Sequence, residues 1–91
     1  MTRQLVFETK YSGNSGTVAA RPMLRHWEPE KGHYWAHSPR RVSWNYALDI
    51  DDNHKNAILL SCRVALQKDP VAIEWGGESV NGRLWIVTVT E

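Results

Sequence analysis

Apolar and polar residues alternate along two segments of the chain, residues 4–11 and residues 41–50. In an extended backbone, successive side chains point to opposite faces, so a period of two predicts a strand with one buried face. The second segment has the longer alternation. Its apolar face consists of Val42, Trp44, Tyr46, Leu48 and Ile50. Both segments are therefore predicted as strands.

The pattern changes to a helical period after the second strand. Residues 51–53, Asp-Asp-Asn, are residue types that cap helix N-termini and place favourable negative charge there. Asp69 precedes Pro70, and a residue before proline avoids the helical conformation. These signals predict one helix over about residues 53–67. Its core-facing stripe consists of Ile58, Leu59, Cys62, Ala65 and Leu66.

Leu60 and Val64 make the apolar arc of this helix wider than a surface helix needs. Two interpretations follow: the helix is deeply buried, or these two side chains face a partner. They are therefore candidates for a second interface, for example in a homodimer. Cys62 lies on the core stripe and is predicted to be a buried apolar thiol, since a catalytic thiolate needs activation and exposure.

The end of the chain predicts a hairpin of residues 71–75 and residues 83–90. Asn-Gly at residues 81–82 is a strong signal for its turn. A two-residue turn alone sets the apolar side chains out of register, whereas one bulged residue at the glycine pair 76–77 aligns them. The aligned faces are Val71, Ile73 and Trp75 on one strand and Trp85, Val87 and Val89 on the other.

The remaining segments are shorter and less regular. Residues 17–27 predict a second strand, which Pro22 limits to a sheet edge or splits, and residues 33–37 predict a short one. The order of elements is then β(ββ)β-α-ββ. One helix with a mostly antiparallel sheet of roughly four to six strands predicts an α+β, two-layer single domain over residues 1–91. The expected helix–sheet contact places Ile58, Cys62 and Leu66 on Trp44, Tyr46 and Leu48.

Composition narrows the class of protein. A chain of 91 residues with 42% hydrophobic and 23% charged residues is sufficient for one folded domain. No apolar run reaches the roughly 18 residues that a membrane helix requires, and Glu8 interrupts the stretch where a signal peptide would be apolar. The single cysteine forms no internal disulfide. We therefore expect a cytoplasmic protein with no membrane partner.

Positive charge and aromatic residues are concentrated in the first half of the chain. Residues 1–50 carry seven Lys or Arg against four Asp or Glu, whereas residues 51–91 carry four against six. Five tryptophans are many for so small a core, and exposed Trp and Arg are typical of interface anchors. The predicted binding surface consists of Arg25, Trp27, Tyr34, Trp35, Arg40 and Arg41. It suits a protein partner or, as an alternative, the phosphates and unpaired bases of a nucleic acid.

One further cluster has the chemistry of a metal or acid–base site. Asp49, Asp51, Asp52 and His54 combine carboxylate oxygens with an imidazole. Such a set could serve a metal-dependent hydrolase. The alternative interpretation is structural: Asp49 and Asp51 end a strand, and Asp52 caps the helix. The chain contains neither an EF-hand loop nor a phosphate-binding loop. The sequence therefore predicts no catalytic residue, no metal and no cofactor, with the hydrolase as a third hypothesis.

Several short motifs occur together in the second half of the chain. They are Trp44-x-Tyr46-Ala47-Leu48, Asn53-His54 followed by Ala57, Trp75-Gly76-Gly77, and Gly82. With them, residues 42–89 resemble small orphan reading frames of bacteriophages and mobile elements. Small phage proteins of this class are often non-enzymatic and block one host component, as anti-CRISPR and other anti-defence proteins do. The resemblance implies a phage-derived binding protein that inhibits or modulates a host protein or nucleoprotein complex inside a bacterial cell. A nucleic-acid-binding module is the alternative.

Overall fold

The computed structural model describes residues 1–80 and 82–91, which contain seven strands and one helix. The elements are β1 (Thr2–Ser12), β2 (Thr17–Pro22), β3 (Arg25–Glu28), β4 (Gly32–Trp35), β5 (Arg40–Ser43), α1 (Ile50–Leu66), β6 (Pro70–Glu78) and β7 (Arg83–Thr90). This order agrees broadly with the predicted one, with the predicted second strand divided into β2 and β3. Asn81, in the predicted turn, lies outside the described residues.

Five strands form one antiparallel sheet in the order β5-β2-β1-β7-β6. The long strand β1 lies at the centre and pairs with β2 on one side and β7 on the other. The helix packs across β2, β5 and β1 on one side of the sheet, termed the helix-covered face. The opposite side is termed the open face. This arrangement confirms the predicted α+β domain, in which one helix packs on a mostly antiparallel sheet.

The core lies between α1 and the sheet. Alternate residues of the central strands face the helix, as a period of two requires. Burial of each large apolar side chain contributes roughly 1.5–3 kcal/mol. Burial also raises the pKa of the Cys62 thiol, which lies in this core. The buried apolar cluster consists of Phe7, Val18, Ala20, Ala57, Ile58, Cys62, Trp85, Val87 and Val89.

The strand predicted over residues 41–50 is wrong in its second half. β5 ends at Ser43, and residues 44–49 form an irregular turn that leads into the helix. The helix therefore begins at Ile50 rather than near residue 53, and it ends at Leu66. Tyr46, which was expected to lie under the helix, is 87% exposed. Most of the aromatic surface of this side chain is consequently outside the core.

The side chain of Asn53 explains why the chain turns here. Its Nδ2 donates to the carbonyl oxygens of Asn45 and Asp49, both at 2.9 Å, and its Oδ1 accepts from the Asn45 backbone N–H at 2.7 Å. A buried amide needs partners for its polar atoms. If the strand continued to residue 50, the backbone groups of Asn45 and Asp49 would move out of reach of the Asn53 side chain. The hydrogen bonds of one polar side chain therefore outweigh the alternation of apolar residues.

The hairpin of β6 and β7 contains the predicted bulge. The pairing shifts between Trp75 and Gly77, and Gly77 has a φ of 122°, which glycine adopts far more readily than other residues. The shift sets Trp75 opposite Trp85 and Ile73 opposite Val87. These two apolar pairs are the ones that the sequence predicts.

The start of β6 departs from the predicted register. A second shift places Pro70 opposite Val89, so Val71 has no partner in the ladder and is exposed. Proline has no backbone N–H, and it is tolerated as the first residue of an edge strand. The predicted alignment of Val71 with the final apolar residue of β7 is therefore wrong, because the strand begins at the proline.

β3 and β4 form a separate two-stranded sheet, and residues 25–35 are termed the arm. Pro22 ends β2, and the chain leaves the main sheet shortly after it. The Ala36 backbone N–H donates to the Leu24 carbonyl oxygen at 2.8 Å and closes the base of the arm. The two strands pack chiefly against each other. The arm is thus an appendage of the domain rather than part of its core.

Candidate binding surface

The predicted binding residues lie on two parts of the fold. Four are on the arm and two are on β5: Arg25, Trp27, Tyr34 and Trp35, then Arg40 and Arg41. Within the arm, Arg25 pairs with Trp35, and Trp27 pairs with His33. Directly paired residues of an antiparallel ladder share a face. Arg25, Trp27 and Trp35 therefore lie together, whereas Tyr34 lies on the other face of the arm.

The face of the arm that carries Tyr34 is occupied by contacts within the arm. The Tyr34 hydroxyl donates to Glu28 Oε1 at 2.9 Å, and Lys31 Nζ lies 3.6 Å from Glu28 Oε2. The hydrogen bond to Glu28, with a smaller effect of burial, raises the pKa of Tyr34. These contacts hold the two strands of the arm together at its tip. The structure therefore does not bring Tyr34 together with the other predicted binding residues.

Two arginines lie over the ring of Trp35. Arg21 Cζ is 4.1 Å from the ring centroid, and Arg25 Cζ is 4.4 Å from it. A guanidinium at this distance is attracted to the electron-rich face of an indole, by about 0.5–1 kcal/mol at exposed sites. Arg21 belongs to β2 and Arg25 to the arm. Trp35 therefore fastens the arm to the main sheet.

Trp27 is the most exposed tryptophan on the arm. It is 61% exposed, whereas Trp35 is half-buried under the two arginines. Trp27 shares its face of the arm with Arg25, two residues before it. Trp and Arg are both enriched among the residues that dominate binding energy at protein interfaces.

A cavity of about 290 Å³ lies on the open face of the sheet. Three of its lining side chains are cationic: Lys10 on β1, Arg21 on β2 and Arg41 on β5. Glu8 also lines it, and its Oε1 lies 3.7 Å from Arg21 Nη2. One carboxylate balances only one of the three positive charges. The cavity consequently has a positive potential and suits an anionic group.

The positive side chains and the tryptophan near this cavity are together termed the basic face. It consists of Lys10, Arg21, Arg25, Trp35 and Arg41. Lys10 and Arg21 are not among the predicted binding residues, although both occupy polar positions of predicted strands. Their convergence depends on which side of the sheet the helix covers. Arg40 pairs with the core residue Ala20 and so lies on the helix-covered face, apart from Arg41.

The acidic residues near the start of α1 act in helix formation and ion pairing. Asp49 is the N-cap, and its Oδ1 accepts from the Asp52 backbone N–H at 2.8 Å. The expected cap, Asp52, lies instead in the first turn, where its charge stabilises the helix dipole. Asp51 accepts from Arg83 Nη1 at 2.9 Å. In the part of the chain that the structure describes, no three His, Cys, Asp or Glu side chains are grouped to hold a metal ion.

His54 is almost fully buried and is bonded to the sheet. It is 4% exposed, and its Nδ1 lies 2.6 Å from Thr9 Oγ1. The same oxygen accepts from Trp85 Nε1–H at 2.8 Å. Burial and the positive charge of Arg83 lower the pKa of His54, while Asp51 opposes the shift. The imidazole is therefore neutral at pH 7 and forms part of a buried polar network.

Leu60 and Val64 lie one turn apart on α1. Val64 is 43% exposed, and Leu60 is half-buried. Two such side chains supply a small part of the roughly 800 Å² that each partner buries in a stable interface. The second interface at these residues stays a prediction.

No family model matches the chain, and neither a curated protein nor a solved structure matches it. Among residues 1–80 and 82–91, no helix combines the length and the hydropathy needed to cross a membrane.

Proposed function

We propose that this chain is a small non-enzymatic binding protein that docks its arm and basic face on an acidic surface of a host protein. The observation that carries this proposal is Trp27, an exposed indole on an arm that packs chiefly against itself. Trp and Arg are the residues most enriched among those that dominate interface energy. The resemblance of residues 42–89 to small phage reading frames supports an inhibitory role of the anti-CRISPR or other anti-defence type.

The charge of the basic face supports an acidic partner. Of its four cationic side chains, Arg21 alone forms an ion pair with a carboxylate among the described residues. Lys10, Arg25 and Arg41 retain charges that a partner could neutralise. Complementary charge accelerates association and excludes partners of the wrong sign. The surface therefore combines an apolar anchor with cations that orient the partner around it.

Nucleic acid is the second candidate partner, and the cavity on the open face favours it. Lys10, Arg21 and Arg41 surround about 290 Å³ of space that could receive a phosphate group. Trp27 could then stack on an unpaired base, as exposed aromatic residues do in proteins that bind single strands. The two candidates use the same cations, but contacts with phosphates give the steeper loss of affinity with salt.

Titration with nucleic acid at two salt concentrations separates these candidates. Tryptophan fluorescence is followed as a short single-stranded DNA or RNA is added in about 50 mM and about 200 mM salt. Three phosphate contacts on a single strand predict an affinity about 20-fold lower at the higher concentration. Such a loss would favour the nucleic-acid candidate. Absence of quenching at the lower concentration would leave the protein partner.

Affinity capture tests the protein partner directly. The tagged wild-type chain, Trp27→Ala and Tyr46→Ala are each incubated with nuclease-treated bacterial lysate, and the retained proteins are identified by mass spectrometry. Tyr46 is a matched control because it is also an exposed aromatic residue but lies outside the arm. A protein retained by the wild type and by Tyr46→Ala, but lost with Trp27→Ala, supports docking through the arm. Equal retention by all three chains contradicts it.

A further inference from the structure

A second cavity, of about 530 Å³, opens where α1 begins, on the helix-covered face. It shares no lining residue with the cavity of the basic face. Its volume falls within the roughly 300–1,000 Å³ that is typical of small-molecule sites. Its lining includes Tyr11, Trp44, Ile50, His54, Glu78 and Arg83.

The hydrogen bonds of Thr9 determine which nitrogen of His54 carries the proton. Trp85 Nε1 is only a donor, so Thr9 Oγ1 accepts from it. The hydroxyl proton of Thr9 then needs an acceptor, and among the described residues His54 Nδ1 is the one within reach. Buried polar groups are rarely left unpaired. His54 Nδ1 is therefore the acceptor, and the neutral imidazole carries its proton on Nε2.

The Nε2–H of His54 is available to a ligand. The residue is 4% exposed and lines the cavity. Among the described residues Nε2 forms no hydrogen bond, whereas Nδ1 is bonded to Thr9. An aromatic N–H donor thus lies at the floor of the cavity. The hydrogen bond from Thr9 to Nδ1 fixes the orientation of the ring, and Trp85 in turn holds the Thr9 hydroxyl in place.

The walls and rim of the cavity limit the kind of ligand that it accepts. The rings of Tyr11 and Trp44 meet edge to face, with centroids 4.7 Å apart, and Ile50 adds an aliphatic surface. Arg83 lies at the rim and is already neutralised by Asp51 at 2.9 Å. Glu78 adds an exposed carboxylate. The site consequently offers apolar walls, donors and an acceptor, with a negative balance of charge that disfavours phosphate.

We propose that this cavity binds a nucleobase, with the ring against Tyr11 and Trp44 and its polar edge on His54 Nε2–H and Glu78. A base has a flat apolar surface that can lie against the aromatic rings. Its edge carries both acceptors for the His54 N–H and donors for the Glu78 carboxylate. Guanine is the best complement, because its adjacent N–H groups suit a carboxylate, while its O6 and N7 accept from a donor such as an imidazole or guanidinium. The uncharged nucleoside is preferred over its monophosphate.

Guanosine is the probe that tests this site, with nuclear magnetic resonance of the five indole N–H groups as the readout. The signal of Trp44 is assigned with Trp44→Phe. We expect guanosine to shift the Trp44 signal in a saturable manner and to leave the Trp27 signal in place. Guanosine monophosphate is expected to bind more weakly than guanosine. These signals also distinguish the site from the basic face, so failure of one proposal leaves the other intact.

Two neighbouring carboxylates supply the matched variants. Glu78→Gln removes the charged acceptor at the rim, and the dissociation constant of guanosine is expected to rise about tenfold. Glu74→Gln makes the same change on the same strand, at an exposed residue that does not line the cavity, and should leave the constant unchanged. Absence of a shift with guanosine, an equal shift with ribose alone, or equal binding by Glu78→Gln and the wild type would each overturn the proposal.

Discussion

The hydroxyl oxygen of Thr9 lies 2.6 Å from His54 Nδ1 and joins the central strand to the helix across 45 residues of sequence. Both residues are buried, and Trp85 Nε1 donates to the same oxygen from the neighbouring strand. Hydrogen bonds in a core add modestly to stability, but loss of one partner leaves the others unpaired and is expensive. This three-residue network therefore helps to fix how α1 sits on the sheet.

Thr9→Val keeps the shape of the side chain and removes its hydroxyl. Trp85 Nε1–H and His54 Nδ1 would then be buried without partners, and we expect the free energy of unfolding to fall by about 2–4 kcal/mol. Urea denaturation measures the change. Thr88→Val is the control, because Thr88 lies on the open face of β7 and is only half-buried. Similar losses in the two variants would contradict a special role for the Thr9 hydroxyl.

Mild acid is expected to weaken the fold through His54. Burial and Arg83 lower its pKa in the folded state below the ordinary value of 6.5. At a pH between the lowered pKa of the folded state and 6.5, His54 is protonated in the unfolded chain but not in the folded chain. The free energy of unfolding should therefore be constant with respect to this group above about pH 7 and decrease as the pH falls from 6.5 towards the lowered pKa.

Urea denaturation between about pH 5 and pH 8 measures this dependence. His33→Gln, on the arm, should keep the slope of the wild type, because His33 does not belong to the buried network. A profile that is flat below pH 6.5 in the wild-type chain would show that His54 does not resist protonation in the folded state.

Asp49→Ala is expected to destabilise the helix more than Asp52→Ala. Asp49 caps the helix by accepting from the Asp52 backbone N–H, and loss of such a cap costs about 1 kcal/mol. Asp52 contributes through its charge in the first turn, which is worth roughly 0.3–1 kcal/mol at an exposed site. Thermal and urea denaturation compare the two variants. The opposite ranking would show that Asp52 is the cap after all.

Arg21 and Trp35 should be energetically coupled. Their contact holds the arm to the sheet, and a double-mutant cycle of Arg21→Ala and Trp35→Ala is expected to give a coupling of about 0.5–1 kcal/mol. Arg41→Ala provides the comparison, since Arg41 lines the nearby cavity but is not stacked on Trp35. Strict additivity of Arg21→Ala and Trp35→Ala would mean that the stacked geometry contributes nothing to the fold.

Local periodicity predicts much of the fold because a strand buries every second residue, whereas a helix buries one stripe with a period of 3.6 residues. The bulge beside Trp75 followed from aligning two apolar faces, and the structure has it at Gly77. The early end of β5 did not follow, because it depends on the hydrogen bonds of Asn53 to Asn45 and Asp49. The sequence alone does not distinguish Asn53, whose side chain forms these three hydrogen bonds with the backbone, from any other asparagine.

The binding surface was predictable only in part. The excess of Trp and Arg identified Trp27, Trp35 and Arg25, which share one face of the arm. Lys10 and Arg21 lie near these residues because of how the strands pair and which face of the sheet the helix covers. Residue types alone predict neither the pairing nor the covered face. The contact of Thr9 with His54 has the same origin, since it closes over a long stretch of chain.

The affinity of the isolated partner for Trp27→Ala tests docking through the arm most directly. Titration calorimetry would compare the wild type, Trp27→Ala and Tyr46→Ala at one salt concentration, after thermal denaturation has shown equal melting temperatures. Removal of an exposed anchor that dominates an interface costs about 2 kcal/mol or more, so the dissociation constant of Trp27→Ala should rise about 30-fold. Tyr46→Ala should bind as the wild type does. A Trp27→Ala chain with the wild-type dissociation constant would contradict the proposed function.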